Sequence, residues 1–205
     1  RTVPLGLLSD VQGLLLENRL ALLSMVANAT PEEMQRGVAD LEKNSAEINR
    51  LWALYMATKA TPEEEKIAKQ MTEDRAKFLA EGLTPTVAAI KAGNYDEAKK
   101  LSFEKVRPLY VPVRKAISAL NDIQMAQAKA EFALAEANYD RADTLFKQKS
   151  GTERTRDETR YALDRTRANV ELAASRLFRI LCRWRPEESA LPFGEAGRGE
   201  RNFVA

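Results

Sequence analysis

The sequence contains no histidine, a single cysteine and no long apolar run. Without histidine, the commonest general base and the commonest metal ligand are both missing. A lone cysteine, Cys182, forms no disulfide within the chain and founds no cysteine-based metal cluster. A membrane span takes roughly 20 consecutive apolar residues, and the longest candidate, residues 20–29, is far shorter and part of an amphipathic pattern. Glycine and proline are few, and most stand where helices are expected to end. No glycine-rich phosphate loop and no nucleophile motif is present, so neither an enzyme nor a cofactor is expected. Lys and Arg total 32 against 30 Asp and Glu, which argues against a nucleic-acid partner, since such binders concentrate basic residues on one face. The chain starts without Met and without the layout of a signal peptide, and therefore reads as an internal piece of a larger protein.

What is present is helical. Apolar residues recur at spacings of three and four almost throughout, and strand-like alternation is absent. Leu8, Val11, Leu15, Leu22 and Met25 mark one face of a first helix that stops near Asn28. Thr30, Pro31, Glu32 and Glu33 then supply an N-cap, a proline at the first helical position and early acids. A second helix carries Val38, Leu41, Ile48, Leu51 or Trp52, and Tyr55. The same punctuation returns at Thr61-Pro62-Glu63-Glu64, where the acids suit the positive end of a helix dipole. The third helix carries Ile67, Met71, Phe78, Leu79, Leu83, Val87 and Ile90, with a kink expected at Pro85 and a stop at Gly93. The fourth has the cleanest heptad, Phe103, Val106, Tyr110, Val113, Ile117, Leu120 and Gln124, interrupted near its start by Pro108 and Pro112. Beyond Gln124 the stripe turns alanine-rich and persists to residues 149–151, and a fifth helix returns over about residues 153–181.

Short connections between long helices force antiparallel neighbours. The expected fold is all-α: an antiparallel up-down four-helix bundle with a long fourth helix, a fifth helix returning as a coiled hairpin, and a disordered C-terminal tail. The expected divisions are residues 1–139 for the bundle, 140–182 for the hairpin extension and 183–205 for the tail, whose Gly, Pro, Glu and Arg show no periodicity.

Four segments carry a family resemblance: residues 14–22 (LLLENRLAL), 48–52 (INRLW) running into 60–64 (ATPEE), 92–98 (AGNYDEA), and 113–126. Their order and spacing over about residues 5–139 resemble the four-helix-bundle ligand-binding domain of methyl-accepting chemotaxis proteins. The resemblance implies the periplasmic portion of an inner-membrane receptor, flanked by two spans that this sequence lacks. It also implies a homodimer that binds a small molecule and passes a signal through helix four. Residues 128–174 look like the α-helical hairpin of periplasmic adaptors of bacterial efflux pumps, through Tyr139, Arg141 and Leu145, then Thr152 and Asp157 across the turn. In that family an Arg, a Leu and a Ser at this spacing meet the tip of an outer-membrane channel; here Thr152 stands where Ser is usual. That second resemblance implies a structural adaptor fragment, although the adaptor's lipoyl and barrel strands have no counterpart in the sequence.

Candidate binding residues follow from register. Counted from the end of the bundle distant from the termini, Arg75, Arg114 and Arg50 lie at one level and Tyr110 close to it. Arg75 stands on the core stripe between Met71 and Phe78, where an unpaired charge is costly. It is either a stem packed inward with its head in water or paired to an acid such as Glu47 or Asp10, or else a planar fork waiting for a ligand carboxylate. Tyr110 holds a heptad position and reads as a packed core aromatic or a hydrogen-bond donor to a ligand. Arg114 and Arg107 flank that stripe, and Asn18 is a polar interruption in helix one that could instead set a dimer register. Arg50 neighbours Glu47 and Leu54 rather than the core. The chemoreceptor resemblance adds Arg19, since helix-one arginines in that family reach a ligand shared between subunits. The expected ligand is a small organic acid.

Overall fold

The structure is a computed structural model that describes residues 2–27, 30–58 and 60–188. No strand occurs among the described residues. Helix α1 (Thr2–Ala27) is followed by α2 (Pro31–Met56). Then α3 (Pro62–Lys77), a π-turn (Phe78–Leu83) and α4 (Thr84–Lys91) make one continuous rod. A second rod joins α5 (Tyr95–Leu101), a second π-turn (Ser102–Val106) and α6 (Arg107–Lys147), and α7 (Glu153–Glu188) returns beside it. The two rods, α1 and α2 form the antiparallel bundle, and α7 packs on α6 and α1. One core cluster runs through it, with Leu8, Met25, Ile48, Met71, Ile117 and Leu120 all but closed to solvent.

The helix starts are those that the sequence announces. Thr30 accepts the Glu33 N–H at 3.3 Å, and Thr61 forms a capping box with Glu64. The stop at Gly93 is a Schellman turn: φ is +74°, the Gly93 N–H reaches the Ile90 carbonyl and the Asn94 N–H reaches that of Ala89. At the far hairpin, however, the left-handed residue is Lys149 at φ 60° and not the nearby Gly151. Its N–H donates to the Phe146 carbonyl and that of Ser150 to the Leu145 carbonyl, the same motif with a side chain where glycine is easier.

Two expectations need correction. The kink at Pro85 takes the form of a widened turn ahead of it, closed by the Thr84 N–H on the Leu79 carbonyl five residues back. Pro108 is preceded in the same way, with the Arg107 N–H on the Ser102 carbonyl. A π-turn inserts one residue, so the phase of the stripe shifts across it. The buried series is therefore Ala98, Ser102, Val106, Tyr110, whereas Phe103, expected in the core, is 52% exposed. The second correction concerns the C-terminal boundary: α7 continues to Glu188 rather than ending near 181, since no glycine or proline occurs between Gly151 and Pro186. Of the expected disordered tail, residues 189–205 lie outside the described residues.

Glu64 fixes the register of α3 against α6. It is 2% exposed, and its carboxylate accepts the Thr61 N–H at 2.8 Å, the Thr61 hydroxyl at 2.9 Å, and the side-chain amides of Gln124 and Gln127. Nearby, the Asn121 amide donates to Gln12 of α1 at 2.7 Å. Burial pushes the Glu64 carboxyl pKa up, but the donors from Thr61, Gln124 and Gln127 outweigh it and hold the group below the usual glutamate range. Burial, and secondly the Glu64 charge, push the Tyr55 phenol up to about 12. A carboxyl depressed in the folded state contributes stability above its unfolded pKa and loses it as pH falls through the folded value. Glu64→Gln is thus expected to cost about 1–3 kcal/mol at pH 7, and less at pH 3. Urea denaturation at both pH values checks this; an equal gap at both would refute the role of the ionised carboxylate. Lys149→Gly is expected to stabilise the hairpin by about 1 kcal/mol, seen as a rise in the urea midpoint.

Candidate ligand-binding site

Tyr110 is the centre of a cluster built from α1, the first π-turn and α6. It follows Val106 by one turn on the shifted stripe and is 8% exposed. The Phe78 ring lies 5.9 Å from it at an interplanar angle of 55°. From α1, the Arg19 guanidinium stands over the Tyr110 ring at 5.7 Å from its centroid, within cation–π reach. Burial pushes the phenol's pKa up, while the charges of Arg19 and Arg114 pull it down; the net shift is upward, so the hydroxyl stays protonated at neutral pH. The cluster accordingly holds a protonated phenol in the positive field of Arg19 and Arg114, which suits an anion.

Arg75 lies one turn before Phe78 and is 9% exposed. Its guanidinium donates to the side-chain Oδ1 of Asn49 on α2 at 2.7 Å, a neutral partner rather than the acid expected of a structural ion pair. Burial lowers its pKa. Asn18, next to Arg19, is 5% exposed and its Oδ1 has no hydrogen-bond partner. Arg50 faces solvent and is held by Glu47 at 2.6 Å, and Arg107 is exposed on the first turn of α6. The structure therefore brings Arg19 over Tyr110 with Arg114 one turn further along α6, buries Asn18 next to Arg19 and Arg75 one turn before Phe78, and leaves Arg50 and Arg107 on the surface. Asn49 escaped sequence reasoning because an exposed asparagine between Ile48 and Arg50 carries no periodic signal. Among the described residues no group of three or more His, Cys, Asp or Glu could hold a metal, and no helix is long and apolar enough to cross a membrane.

A comparison with family profiles matches residues 1–128 to TarH, the Tar ligand binding domain homologue. The chain belongs to that family. TarH domains are sensory ligand-binding domains of chemoreceptors and not enzymes, and every residue of the cluster falls inside the matched region. Neither the curated proteins nor the solved structures gave a match. The TarH match ends at residue 128, where α6 continues without a break.

The hairpin beyond the match is cemented by small residues and stacked arginines. Ala135 and Ala142 of α6 and Leu163 and Ala173 of α7 are buried, and the guanidinium of Arg156 lies 4.2 Å from the Phe146 ring centroid. Thr152, expected from the adaptor resemblance to meet a channel, caps α7 by accepting the Thr155 N–H at 3.1 Å. Leu145 is exposed, and none of the comparisons supports the adaptor reading.

Because the partner of Arg75 is a neutral amide on an exposed residue, Arg75→Leu strands no buried charge. The expected change in stability is within about 1 kcal/mol of zero, against a loss of about 3–5 kcal/mol for breaking a buried ion pair. Chemical denaturation measures it, and a loss in the larger range would show Arg75 to be structural.

Proposed function

We propose that this TarH domain is the periplasmic sensor of an inner-membrane chemoreceptor that binds a small carboxylate at the Tyr110 cluster. The observation that carries the reading is the Arg19 guanidinium over the ring of the buried Tyr110, with Arg114 one turn further along the same helix. Arg75 and Arg114 hold the carboxylate, Tyr110 donates a hydrogen bond, and Asn18 and Arg19 come from α1. A planar guanidinium meets a carboxylate through two parallel N–H donors, which gives geometric selectivity as well as attraction. Arg50 and Arg107, exposed, contribute only to the positive field that draws an anion in. The unpartnered Asn18 oxygen is a ready acceptor for a donor group on the ligand or on a second subunit, in keeping with a homodimer. Residues 1–139 form the sensing unit and residues 140–182 an extension of it. The signal leaves through α6, whose register against α3 is held by Glu64.

A thermal-shift screen of mono- and dicarboxylic acids tests the reading. An acid present at about 100 times its Kd is expected to stabilise the domain by about 2.7 kcal/mol. Arg114→Ala and Tyr110→Phe are expected to abolish the shift, and Arg50→Ala and Arg107→Ala to leave it nearly intact. If no organic acid, amino acid or aromatic compound moves the transition, the proposal fails.

A further inference from the structure

Three residues of the candidate site are nearly closed to solvent, Tyr110 at 8% exposed, Arg75 at 9% and Asn18 at 5%, whereas Arg19 and Arg114 are half-buried. A ligand that goes beyond the two half-buried arginines to the three buried side chains needs an opening, and the backbone beside them is built to yield at one level. The first π-turn begins at Phe78, which packs on Tyr110, and the second ends at Val106, one turn before Tyr110. The two π-turns lie against each other, and a Cβ placed on Gly82 would come 3.4 Å from the Val106 Cα. Each is followed by proline, so the carbonyls of Glu81 and Glu104 lose the N–H that an α-helix would supply. Thr86, fully buried, turns its hydroxyl back onto the Gly82 carbonyl at 2.8 Å. Beyond the π-turns, α4 and α5 pack chiefly on one another. Ile90 and Ala98 bury in the end of the bundle core, and an exposed salt bridge, Lys91 to Glu42 at 3.0 Å, adds a tie to α2.

We propose that the paired π-turns are the hinge of a lid, residues 84–101, which swings from the shaft of the bundle and opens a path to the Tyr110 cluster. The purpose of the lid rests on the carboxylate-site reading above; its motion does not. A π-turn carries one residue more than an α-turn, so deleting one residue from each, together with Pro85→Ala and Pro108→Ala to give back the two missing donors, restores regular helix and keeps both flanks in phase. Ala80 and Glu104 are exposed and are the residues to delete. Gly82→Ala is the milder variant: its methyl meets only ordinary contacts, and alanine stiffens a helix relative to glycine.

Hydrogen exchange with no compound added reads the motion. Amides of residues 84–101 are expected to exchange about tenfold or more faster than those of residues 113–124, as a locally opening segment does. Both the double deletion and Gly82→Ala are expected to slow them while the shaft is unchanged. Should the deletion variant not fold, Gly82→Ala decides. Access is read separately in a Val106→Cys, Cys182→Ser protein, by the rate at which an aromatic disulfide labels the buried thiol. That rate is expected to fall by the same factor in the stiffened variants. Equal exchange in lid and shaft, or labelling that ignores the variants, overturns the lid. An acid screen without a hit, set beside slowed exchange and labelling, overturns the ligand reading alone.

Discussion

Pro85 and Pro108 withdraw backbone donors from the two rods that meet beside Tyr110, and much of the molecule's middle follows from how that loss is absorbed. An α-helix that meets a proline ring must bend, break or widen. Both rods widen, at the same height, and the widened turns face each other across Gly82. The inserted residues rotate the chain ahead of each proline relative to the chain behind it. Ser102 is thereby turned into the core and Phe103 out of it, while Phe78 meets the Tyr110 ring. The close approach of an arginine from α1 to that ring adds a second polar level to the bundle, apart from the one around Glu64.

Most of the architecture was legible because it is written in local chemistry. A threonine before a proline and two acids announces a helix start at residues 30 and 61, and Gly93 announces a stop. These need only neighbours in sequence. The apolar stripes were legible for the same reason, up to the point where a residue was inserted. Periodicity assumes a constant number of residues per turn, so a stripe drawn through Phe103 fails one turn ahead of a proline that itself gave the warning. Lys149 was illegible for the opposite reason: a side chain in the left-handed region is imposed by the hairpin it closes and contradicts its own preference.

The candidate site divides along the same line. That Arg75 and Tyr110 lie on inward stripes could be read from spacing. That Arg75 is met by the amide of Asn49 could not, because the partner comes from another helix and has no pattern of its own. Arg19 entered through family resemblance alone; its place above an aromatic ring depends on how far α1 is staggered against α6. The Glu64 tie lies between these cases. Its half within the capping box could be read from Thr61 and Glu64, but its reach to Gln124 and Gln127 belongs to the packed bundle.

That tie has a property that an ordinary ion pair lacks. Glu64 meets amide and hydroxyl donors on Thr61, Gln124 and Gln127 rather than a lysine or arginine. Dissolved ions weaken attraction between exposed opposite charges but scarcely touch hydrogen bonds closed off from water. A register kept by neutral donors therefore does not drift with the ionic strength of the medium. The one variable the tie answers to is acidity, which makes the joint between α3 and α6 indifferent to brine and sensitive to acid.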